Sequence, residues 1–441
     1  MPENILVVGS TGYIASKLIP LLVDDGHSVR CLARNPDKLR RKPWFDKVQV
    51  SRADVTLAET LPAALEGIST AYYLVHNMSA GKNYAALDMD AAAAFGRAAK
   101  TAGVRRIVYL GGLADPHEDG LALHLASRIK TGELLRSGGV PVIEFRVGVI
   151  VGAGSVSFEM IRFIAEQFPV MVGPVWLRHR TQPASVLDVL TYLLKVTKID
   201  LYESCLVDIG SQRIFSYIDI MSLYARYRGL SRVPVLLPLI PASLMAFFIS
   251  KLTPVEFSYA LPLVEGLKND SLVHFAPQPK WFGEITPMEY AEAVQAALAE
   301  TDLDSVEKVW LEKDADKHAC FHSGLAISFR REQVSGDVQA FLRTVQGEAE
   351  QAAAALGLEN AKIVKEDSSG ITIGGKMPGK GAAWLQWHLH HGKHGWMFEQ
   401  TAAIRPEGMP AFAWLYANKE QIHRKLEDTL LGIIAKTRSL P

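Results

Sequence analysis

The stretch Gly9-Ser10-Thr11-Gly12-Tyr13-Ile14-Ala15 decides the fold of the first part of the chain. It follows an apolar, β-branched run at residues 4–8 and precedes residues 16–22, whose apolar side chains recur at helical spacing. A glycine-rich turn between a strand and a helix is the context that a dinucleotide-binding turn requires, because the helix N-terminus presents free N–H groups to the phosphates. We therefore expect a dinucleotide to be bound by Gly9, Ser10, Thr11, Gly12, Tyr13 and Ile14.

The composition limits the classes of protein to which this chain can belong. The chain has 441 residues and a formal net charge of zero, so its length predicts two or three structural units and its charge gives no case for nucleic-acid binding. The three cysteines, Cys31, Cys205 and Cys320, have no metal-ligand spacing and fit a reducing compartment. The chain enters a strand at once without a signal peptide, so we expect a cytoplasmic protein.

Apolar runs alternate with helical segments through the first 150 residues, which predicts a parallel, doubly wound sheet of the Rossmann type. The strand-like runs are at residues 4–8, 29–34, 48–50, 71–76, 104–110 and 140–146. Ligands bind at the carboxyl ends of the strands in such sheets. We therefore expect further cofactor contacts, at or near those ends, from Asp54, Val75, His76, Gly111 and Arg146.

Arg34 stands at the end of the second strand, where the adenosine ribose of a dinucleotide lies. A site specific for NAD favours a carboxylate at this position, whereas a guanidinium pairs with the 2′-phosphate of NADP. The sequence therefore favours NADP(H) over NAD(H). The alternative is a solvated basic helix start, since Lys38, Arg40 and Arg41 follow.

The first 300 residues resemble the atypical short-chain dehydrogenase/reductases, the NmrA-like NAD(P)-binding proteins. The resemblance rests on GSTGYIASKLIPLLVDDGHSVRCLARNP at 9–36, TAYYLVHNM at 70–78, AGVRRIVYLGGL at 102–113 and HLASRIKTGELLRSGGVPVIEFRVGVIVGAGS at 124–155. These stretches fit a bacterial subgroup of NAD(P)-binding oxidoreductases that carries an extra C-terminal domain. The resemblance implies NAD(P) binding and oxidoreductase activity.

The resemblance also implies a catalytic tyrosine four residues before a lysine, and a serine after the fifth strand. Lys130 matches the lysine, but Ala126 stands at the tyrosine position and Gly111-Gly112 at the serine position. Hydride could pass without an enzymic acid to a conjugated double bond or quinone-like ring, or His124 or His76 could replace the tyrosine. We expect an oxidoreductase that acts on an apolar or quinone-like small molecule. The alternative is a redox sensor or assembly factor that binds NADP(H) without turnover.

Several polar side chains could instead line a pocket that accepts an anionic substrate. Any of them alone is better explained as a surface ion-pair partner. The set consists of Arg128, Arg146, Arg178, Arg180 and Gln182.

The segment at 151–300 is expected to supply the substrate side of the first domain. Within it, residues 234–250 carry no charge and contain three prolines, which predicts a buried or substrate-lining helix. Peripheral membrane contact is possible here but not favoured, because a membrane span needs about 20 apolar residues. Residues 301–319 are dense in charge and predict a linker between domains.

Residues 320–441 show a different pattern, with strands at 325–329, 371–373, 384–389 and 396–401 and helices at 338–356 and 418–436. Strands before a long final helix predict an α+β helix-grip fold of the START or polyketide-cyclase type. MPGKGAAWLQW and QTAAIRPEGMPAFAWLYA resemble the C-terminal domain of the same subgroup. The cluster His388, His390, His391 and His394 is typical of a polar hairpin end, and no metal site is expected.

Overall fold

The chain forms two compact units, seen in a computed structural model. It describes residues 2–438 apart from 41, 43, 77–82, 201–202, 253–254, 256, 278, 300–318, 323–324, 335–340, 342, 346, 350–352, 354–356, 368–369, 377–380, 393–394 and 407. The first unit consists of Met1–Met160, Val172–Leu223 and Pro234–Ala299. The second consists of Ile161–Met171, Tyr224–Val233 and Glu300–Pro441. The second unit therefore includes two short segments from within the first 300 residues.

The first unit is built on a seven-stranded parallel sheet with the strand order β11-β6-β5-β4-β1-β2-β3. Its strands are β1 Asn4–Val8, β2 Ser28–Ala33, β3 Gln49–Arg52, β4 Thr70–Tyr73, β5 Arg106–Gly112, β6 Val142–Val147 and β11 Cys205–Ile209. The prediction of a parallel Rossmann-type sheet is confirmed. The strand order reverses between β1 and β4, and a crevice at such a point binds ligands in this kind of fold.

Short strands and helices complete the chain up to residue 299. The short strands are β7 Ile150–Val151, β8 Val170–Pro174, β9 Arg180–Thr181, β10 Ala184–Ser185, β12 Phe215–Ser216 and β13 Val233–Leu237. The helices are α1 Tyr13–Asp24, α2 Leu61–Leu65, α3 Tyr84–Thr101, α4 Leu123–Ser137, α5 Val156–Gln167, α6 Val186–Lys195, α7 Tyr217–Tyr227, α8 Ala242–Leu252, α9 Phe257–Gly266, α10 Pro279–Phe282 and α11 Tyr290–Ala299.

Helices cover both faces of the sheet, because successive side chains of each strand point to opposite faces. In β1, Ile5 and Val7 join one core with the apolar faces of α1 and α6. Leu6 and Val8 join a second core with α2 and α3. Burial on both faces explains why the strands read as continuous apolar runs rather than as alternating ones.

The uncharged segment at 234–250 forms a helix after its prolines, as expected, but that helix is only partly buried, with Ala242, Ala246 and Ile249 in the core. The first residues of the segment belong to β13, and α8 begins only after Pro241. Leu239 is almost fully exposed, and about half of the surface of Phe247 and Phe248 is exposed. Proline lacks a backbone N–H, so prolines at 234, 238 and 241 prevent one continuous helix. Among the described helices, none combines the length and apolar character needed to cross a bilayer.

The second unit contains a six-stranded antiparallel sheet with the order β14-β15-β19-β18-β17-β16. Its elements are β14 Ala319–His322, β15 Leu325–Val334, β16 Glu359–Asp367, β17 Gly370–Lys376, β18 Gly381–Gly392, β19 Gly395–Pro406 and α12 Gly408–Arg438. Trp387 and Phe398 pack with Leu426 and Leu430 of α12. The strands and the final helix agree with the sequence pattern, while the assignment to the helix-grip type stays a prediction.

Some expectations for this half fall outside the described residues. These are most of the charged linker at 301–319, much of the helix at 338–356, and His394. His388, His390 and His391 lie in β18. Within the described part of the chain, no group of three or more His, Cys, Asp or Glu side chains could hold a metal ion.

A buried ion pair joins β6 to β11. Arg146 Nε lies 2.7 Å from Asp208 Oδ1, Arg146 Nη2 lies 3.1 Å from Oδ2, and both side chains are almost wholly buried. Asp208 Oδ2 also accepts the backbone N–H groups of His274 at 2.8 Å and Phe275 at 2.9 Å. The structure therefore places Arg146, a predicted cofactor contact, in the core, because Asp208 engages its guanidinium from the neighbouring strand.

A buried carboxylate fixes α4 against the sheet. Glu144 of β6 is 2 % exposed and pairs with Arg136 of α4. A Cβ added at Gly132 would overlap the Glu144 carboxylate, so only glycine at that position lets α4 approach this closely. Burial raises the pKa of Glu144 to about 7, although Arg136 and Arg146 lower it.

Stability should depend on pH through Glu144. Its pKa is higher in the folded chain than the ordinary value of 4.5, so the folded state binds more protons than the unfolded state between pH 4.5 and about 7. The free energy of unfolding should therefore fall by about 3 kcal/mol as pH rises through this range. Urea unfolding at several pH values should show this fall in the wild type and in Glu133→Gln, an exposed control, but not in Glu144→Gln. A wild-type stability that rises with pH over this range would contradict the assignment.

Removal of the Asp208 charge should destabilise the first unit. Asp208→Asn leaves the Arg146 cation buried without a counter-ion, and the expected loss is about 3–5 kcal/mol. Asp270→Asn is the matched control, because Arg180 also pairs with Asp270 through two nitrogens but is largely exposed. Its loss should be about 1 kcal/mol or less in the same urea titration. Equal losses in the two variants would show that Arg146 is neutralised by another group.

Candidate functional site

The turn after β1 has the geometry of a diphosphate cradle. Gly9 adopts a φ of +82°, and a Cβ built on it would lie 2.8 Å from the Leu74 carbonyl oxygen and 3.0 Å from Val75 Cγ2. Only glycine fits this conformation and this spacing. Gly12 caps α1, and no side chain caps the helix. The first N–H groups of α1 are therefore available to an anion, as a bound pyrophosphate requires.

Other residues of the turn have different roles. Ser10 is fully buried, and its Oγ lies 2.7 Å from the Val7 carbonyl oxygen and 3.1 Å from that of Leu32. Its hydroxyl thus ties the turn to β1 and β2, and only its backbone can face a phosphate. Thr11 is exposed, whereas Tyr13 and Ile14 are half-buried in the first turn of α1.

The expected adenosine contacts lie at the ends of β2 and β3. Arg34 is exposed directly after β2 and forms no ion pair with any described residue. Arg40 differs, because its Nε lies 3.1 Å from Asp37 Oδ1. Asp54 follows β3, and its Oδ1 accepts hydrogen bonds from the Thr56 N–H at 2.9 Å and the Thr56 hydroxyl at 2.8 Å. Of the two described arginines Arg34 and Arg40, Arg34 is therefore the one without an ion pair.

The polar side chains proposed for an anion pocket are mostly engaged elsewhere. Arg146 pairs with Asp208, and Arg180 pairs with Asp270. The Gln182 amide donates to the Ser211 carbonyl at 2.7 Å and accepts the Val273 N–H at 2.8 Å. Arg178 is exposed after β8. Arg128 is the remaining member of this set.

Helix α4 directs Lys130 to solvent, away from the buried side chains of His124, Ser127 and Thr131. Lys130 is half exposed, and its Nζ pairs with Glu133 Oε2 at 2.8 Å on the same exposed face. Helix α4 packs on the sheet through Arg128 and Gly132, which adjoin Gly112 of β5 and Glu144 of β6. His124, Ser127 and Thr131 are also buried, and His124 adjoins Gly266 of α9. Lys130 lies about 120° round the helix from His124 and about 160° from Arg128, so it projects to a different side. The structure does not bring Lys130 together with His124 and His76.

Arg128 lies over the end of β5. A Cβ added at Gly112 would lie 2.9 Å from Arg128 Cδ, so the space of a side chain at that strand end is taken by the arginine stem. Arg128 forms no ion pair with any described residue. Burial lowers its pKa, while Tyr109, Asp88 and Tyr84 act in the opposite direction and favour its charged form. A Cβ added at the neighbouring Gly111 would lie 3.4 Å from Glu144 Oε1. The glycine pair therefore makes room for Arg128 and Glu144.

The two histidines near Arg128 are held neutral. Burial, together with Arg128 and His124, holds the pKa of His76 well below its ordinary value. Burial and Arg128 lower the pKa of His124 to about 3. The Nε2 of His76 lies 3.2 Å from the Leu110 carbonyl oxygen, which can only accept, so this nitrogen carries the proton. Neither ring can serve as a cationic acid near neutral pH.

The nearby phenols are also poor acids. Burial raises the pKa of Tyr109 well above 10, and its hydroxyl donates to the backbone carbonyl of Arg128 at 3.0 Å. Burial likewise raises the pKa of Tyr84 at the start of α3. None of the side chains of His76, His124, Tyr84 and Tyr109 therefore has the pKa of a proton donor near pH 7. The pKa of Glu144 is about 7, but its carboxylate pairs with Arg136 of α4. The group can instead supply a fixed positive charge and neutral hydrogen bonds.

The sequence reasoning understated Arg128 and did not name Tyr84 or Asp88. A signal for Arg128 was present, because His124 and Arg128 are four residues apart. This is the spacing of the expected tyrosine and lysine, shifted by two positions from Ala126 and Lys130. Gly112 was a second signal, since a missing side chain leaves space for a neighbour.

Comparisons with known proteins agree with a cofactor role for the first unit. Residues 9–130 match a family model described as NAD(P)H-binding. Triphenylmethane reductase from Citrobacter sp. is similar in structure, with a TM-score of 0.53 and 18% sequence identity over 67% of this chain and 99% of that chain. A second structure of the Citrobacter enzyme, in complex with NADP(H), aligns equally well, with the same TM-score of 0.53.

The curated relatives match over short segments. Photosystem II assembly factor Ycf39 of Guillardia theta is 33% identical over 111 residues, which are 24% of this chain and 34% of Ycf39. A 3 beta-hydroxysteroid dehydrogenase/Delta 5-->4-isomerase of Mycobacterium tuberculosis is 34% identical over 70 residues, 16% of this chain and 18% of that protein. The chain thus spans about a third or less of the length of these relatives. Residues 9–130 thus match an NAD(P)H-binding family model, and the first unit has a Rossmann-type fold similar to that of triphenylmethane reductase.

Proposed function

We propose that the protein is an NADP(H)-dependent oxidoreductase that reduces an apolar, electron-poor small molecule. One observation carries the proposal. The turn of Gly9 touches Leu74 and Val75, and the next residue, His76, contacts the end of β5, where Arg128 lies. A diphosphate cradle and a buried cationic group are thus joined along the carboxyl ends of three neighbouring strands, β1, β4 and β5. The carboxyl ends of strands are where sheets of this kind bind cofactor and substrate.

The residues at the carboxyl ends of β1, β2 and β3 fit a dinucleotide. The glycine turn and the uncapped start of α1 would hold the diphosphate, and Arg34 would pair with the 2′-phosphate. Asp54 Oδ2 lies free of the local turn and would accept from the adenine amino group. When bound, the nicotinamide cofactor supplies a hydride. The NADP(H) complex of the structurally similar Citrobacter enzyme supports the choice of NADP(H).

The lack of a proton donor among His76, His124, Tyr84 and Tyr109 favours particular substrates. Reduction of a simple ketone produces an alkoxide, which needs an acid. Reduction of a conjugated or quinone-like carbon places charge on an oxygen that is far less basic. The structurally similar Citrobacter enzyme is a triphenylmethane reductase, and triphenylmethane dyes are conjugated molecules. We therefore assign conjugated, apolar acceptors as the substrate class.

Cofactor binding and turnover should be measured separately. Calorimetric titration with NADPH and NADH tests binding, and loss of NADPH absorbance tests turnover with quinones, enones, triphenylmethane dyes and simple ketones. We expect NADPH binding and oxidation with the conjugated acceptors. NADPH binding without oxidation by any acceptor would contradict the enzyme and favour a non-catalytic NADP(H)-binding regulator or assembly factor.

Arg34 should determine the preference between the two cofactors. Arg34→Ala should weaken NADPH binding about tenfold to a hundredfold and leave NADH binding unchanged, because one charge-assisted hydrogen bond contributes about 1.5–3 kcal/mol. Arg40→Ala is the matched control, since Arg40 is an exposed arginine of the same segment that already pairs with Asp37. Calorimetric titration of the three proteins checks the prediction. An equal loss of NADPH and NADH affinity in Arg34→Ala would overturn the 2′-phosphate assignment.

A further inference from the structure

Three buried polar atoms on the inner face of α4 have no hydrogen-bond partner among the described residues. They are His124 Nδ1, Ser127 Oγ and Thr131 Oγ1. His124 is 6% exposed and Ser127 is 4% exposed. Buried polar groups in native proteins are normally hydrogen-bonded, so unsatisfied atoms grouped on one helix face point to a missing ligand or bound water.

His124 is held in place by its neighbours. A Cβ added at Gly266 of α9 would overlap the imidazole ring, so glycine at that position admits the ring between α4 and α9. Since the ring is neutral, it has one N–H and one lone pair to offer. The imidazole is therefore a positioned neutral hydrogen-bonding group and not a cation.

Arg128 adds a charge to the same face. An arginine stays protonated in proteins, and this one has no carboxylate partner among the described residues. Its stem is fixed over Gly112, and its backbone carbonyl is held by the Tyr109 hydroxyl. A partly buried cation without a counter-ion is costly, so an anionic group on a ligand would be bound favourably here.

We propose that Arg128 and His124 form an oxyanion-binding site for the enolate or phenolate oxygen of a conjugated ketone or quinone substrate. The inference rests on the proposed function and names its substrate class. The guanidinium faces the oxygen on which negative charge develops, and the neutral imidazole supplies a second hydrogen bond. This is electrostatic stabilisation by preorganised donors, which requires no enzymic acid.

The chemistry balances without a further reactant. Two electrons reach the substrate with one hydrogen at an electron-poor carbon, the carbon–carbon double bond of the conjugated system shifts, and the electron pair of the carbonyl π bond moves onto oxygen. The resulting enolate is held by Arg128, and water supplies the one proton that completes the reduction. In a quinone ring, one proton then shifts from the reduced carbon to the second carbonyl oxygen, which gives the phenol. A phenol has a pKa of about 10, near that of tyrosine, so water can protonate its anion without a catalytic side chain.

A chromophoric phenol tests the site without turnover. A nitrophenol, whose phenolate absorbs visible light, is titrated with pH in the presence of the NADP⁺-loaded protein. We expect the bound nitrophenol to have its pKa lowered by about one unit or more, because the guanidinium stabilises the phenolate. Arg128→Gln should abolish this shift, and Arg128→Lys should retain part of it. Arg97→Gln, an exposed arginine on α3, should leave it unchanged.

The outcomes separate this inference from the proposed function. An unshifted pKa in the NADP⁺-loaded wild type, or a failure of nitrophenol to bind, would overturn the oxyanion site and leave the reductase intact. A loss of NADP⁺ affinity in Arg128→Gln with an unchanged nitrophenol shift would make Arg128 a cofactor-holding residue and also overturn the site. Failure of the wild type to bind NADP⁺ would overturn both. Retention of the shift in Arg128→Lys shows that a lost shift in Arg128→Gln is due to charge and not to misfolding.

Discussion

The close approach of the β1 turn to the chain after β4 is the constraint on which the candidate site depends. Gly9 takes a positive φ beside the Leu74 carbonyl, with no room for a side chain. This contact sets the position of α1, whose first N–H groups would hold a diphosphate. It also leads directly to His76 and so to the end of β5. The position of Gly9 therefore connects the segment that would hold a cofactor with the segment where a substrate would react.

The second constraint is the packing of α4 on β5 and β6. Two glycines make it possible, because Gly132 accommodates the carboxylate of Glu144 and Gly112 accommodates the stem of Arg128. With the helix held at this distance, its phase decides which side chains enter the site. His124 and Arg128 point toward the protein interior, and Lys130 points to solvent beside Glu133. The lack of a side chain at Gly112 and the position of the Arg128 stem are thus coupled, because both need the same space.

Much of the fold was predictable, because its signals are local. The alternation of apolar runs and helical segments predicted the parallel sheet, and the glycine turn between β1 and α1 predicted the cofactor cradle. The assignment of Arg34 to a 2′-phosphate stays a prediction; the structure places it exposed after β2, without an ion pair to any described residue. Residues 234–250 misled the reasoning, since the absence of charge was taken as a sign of burial. Proline breaks that segment into β13 and α8 and leaves Leu239 exposed.

The sequence by itself determined the Rossmann-type sheet, the dinucleotide turn and the absence of the usual tyrosine and serine, because each depends on neighbouring residues. The tertiary structure alone decided which charges are free. Arg146 and Asp208 are 62 residues apart and meet only because β6 and β11 are neighbours. That pairing occupies the guanidinium of Arg146, whereas Arg128 lies at a strand end and forms no ion pair with any described residue. Long-range ion pairs follow from strand order and helix phase, and neither could be obtained from the spacing of one segment.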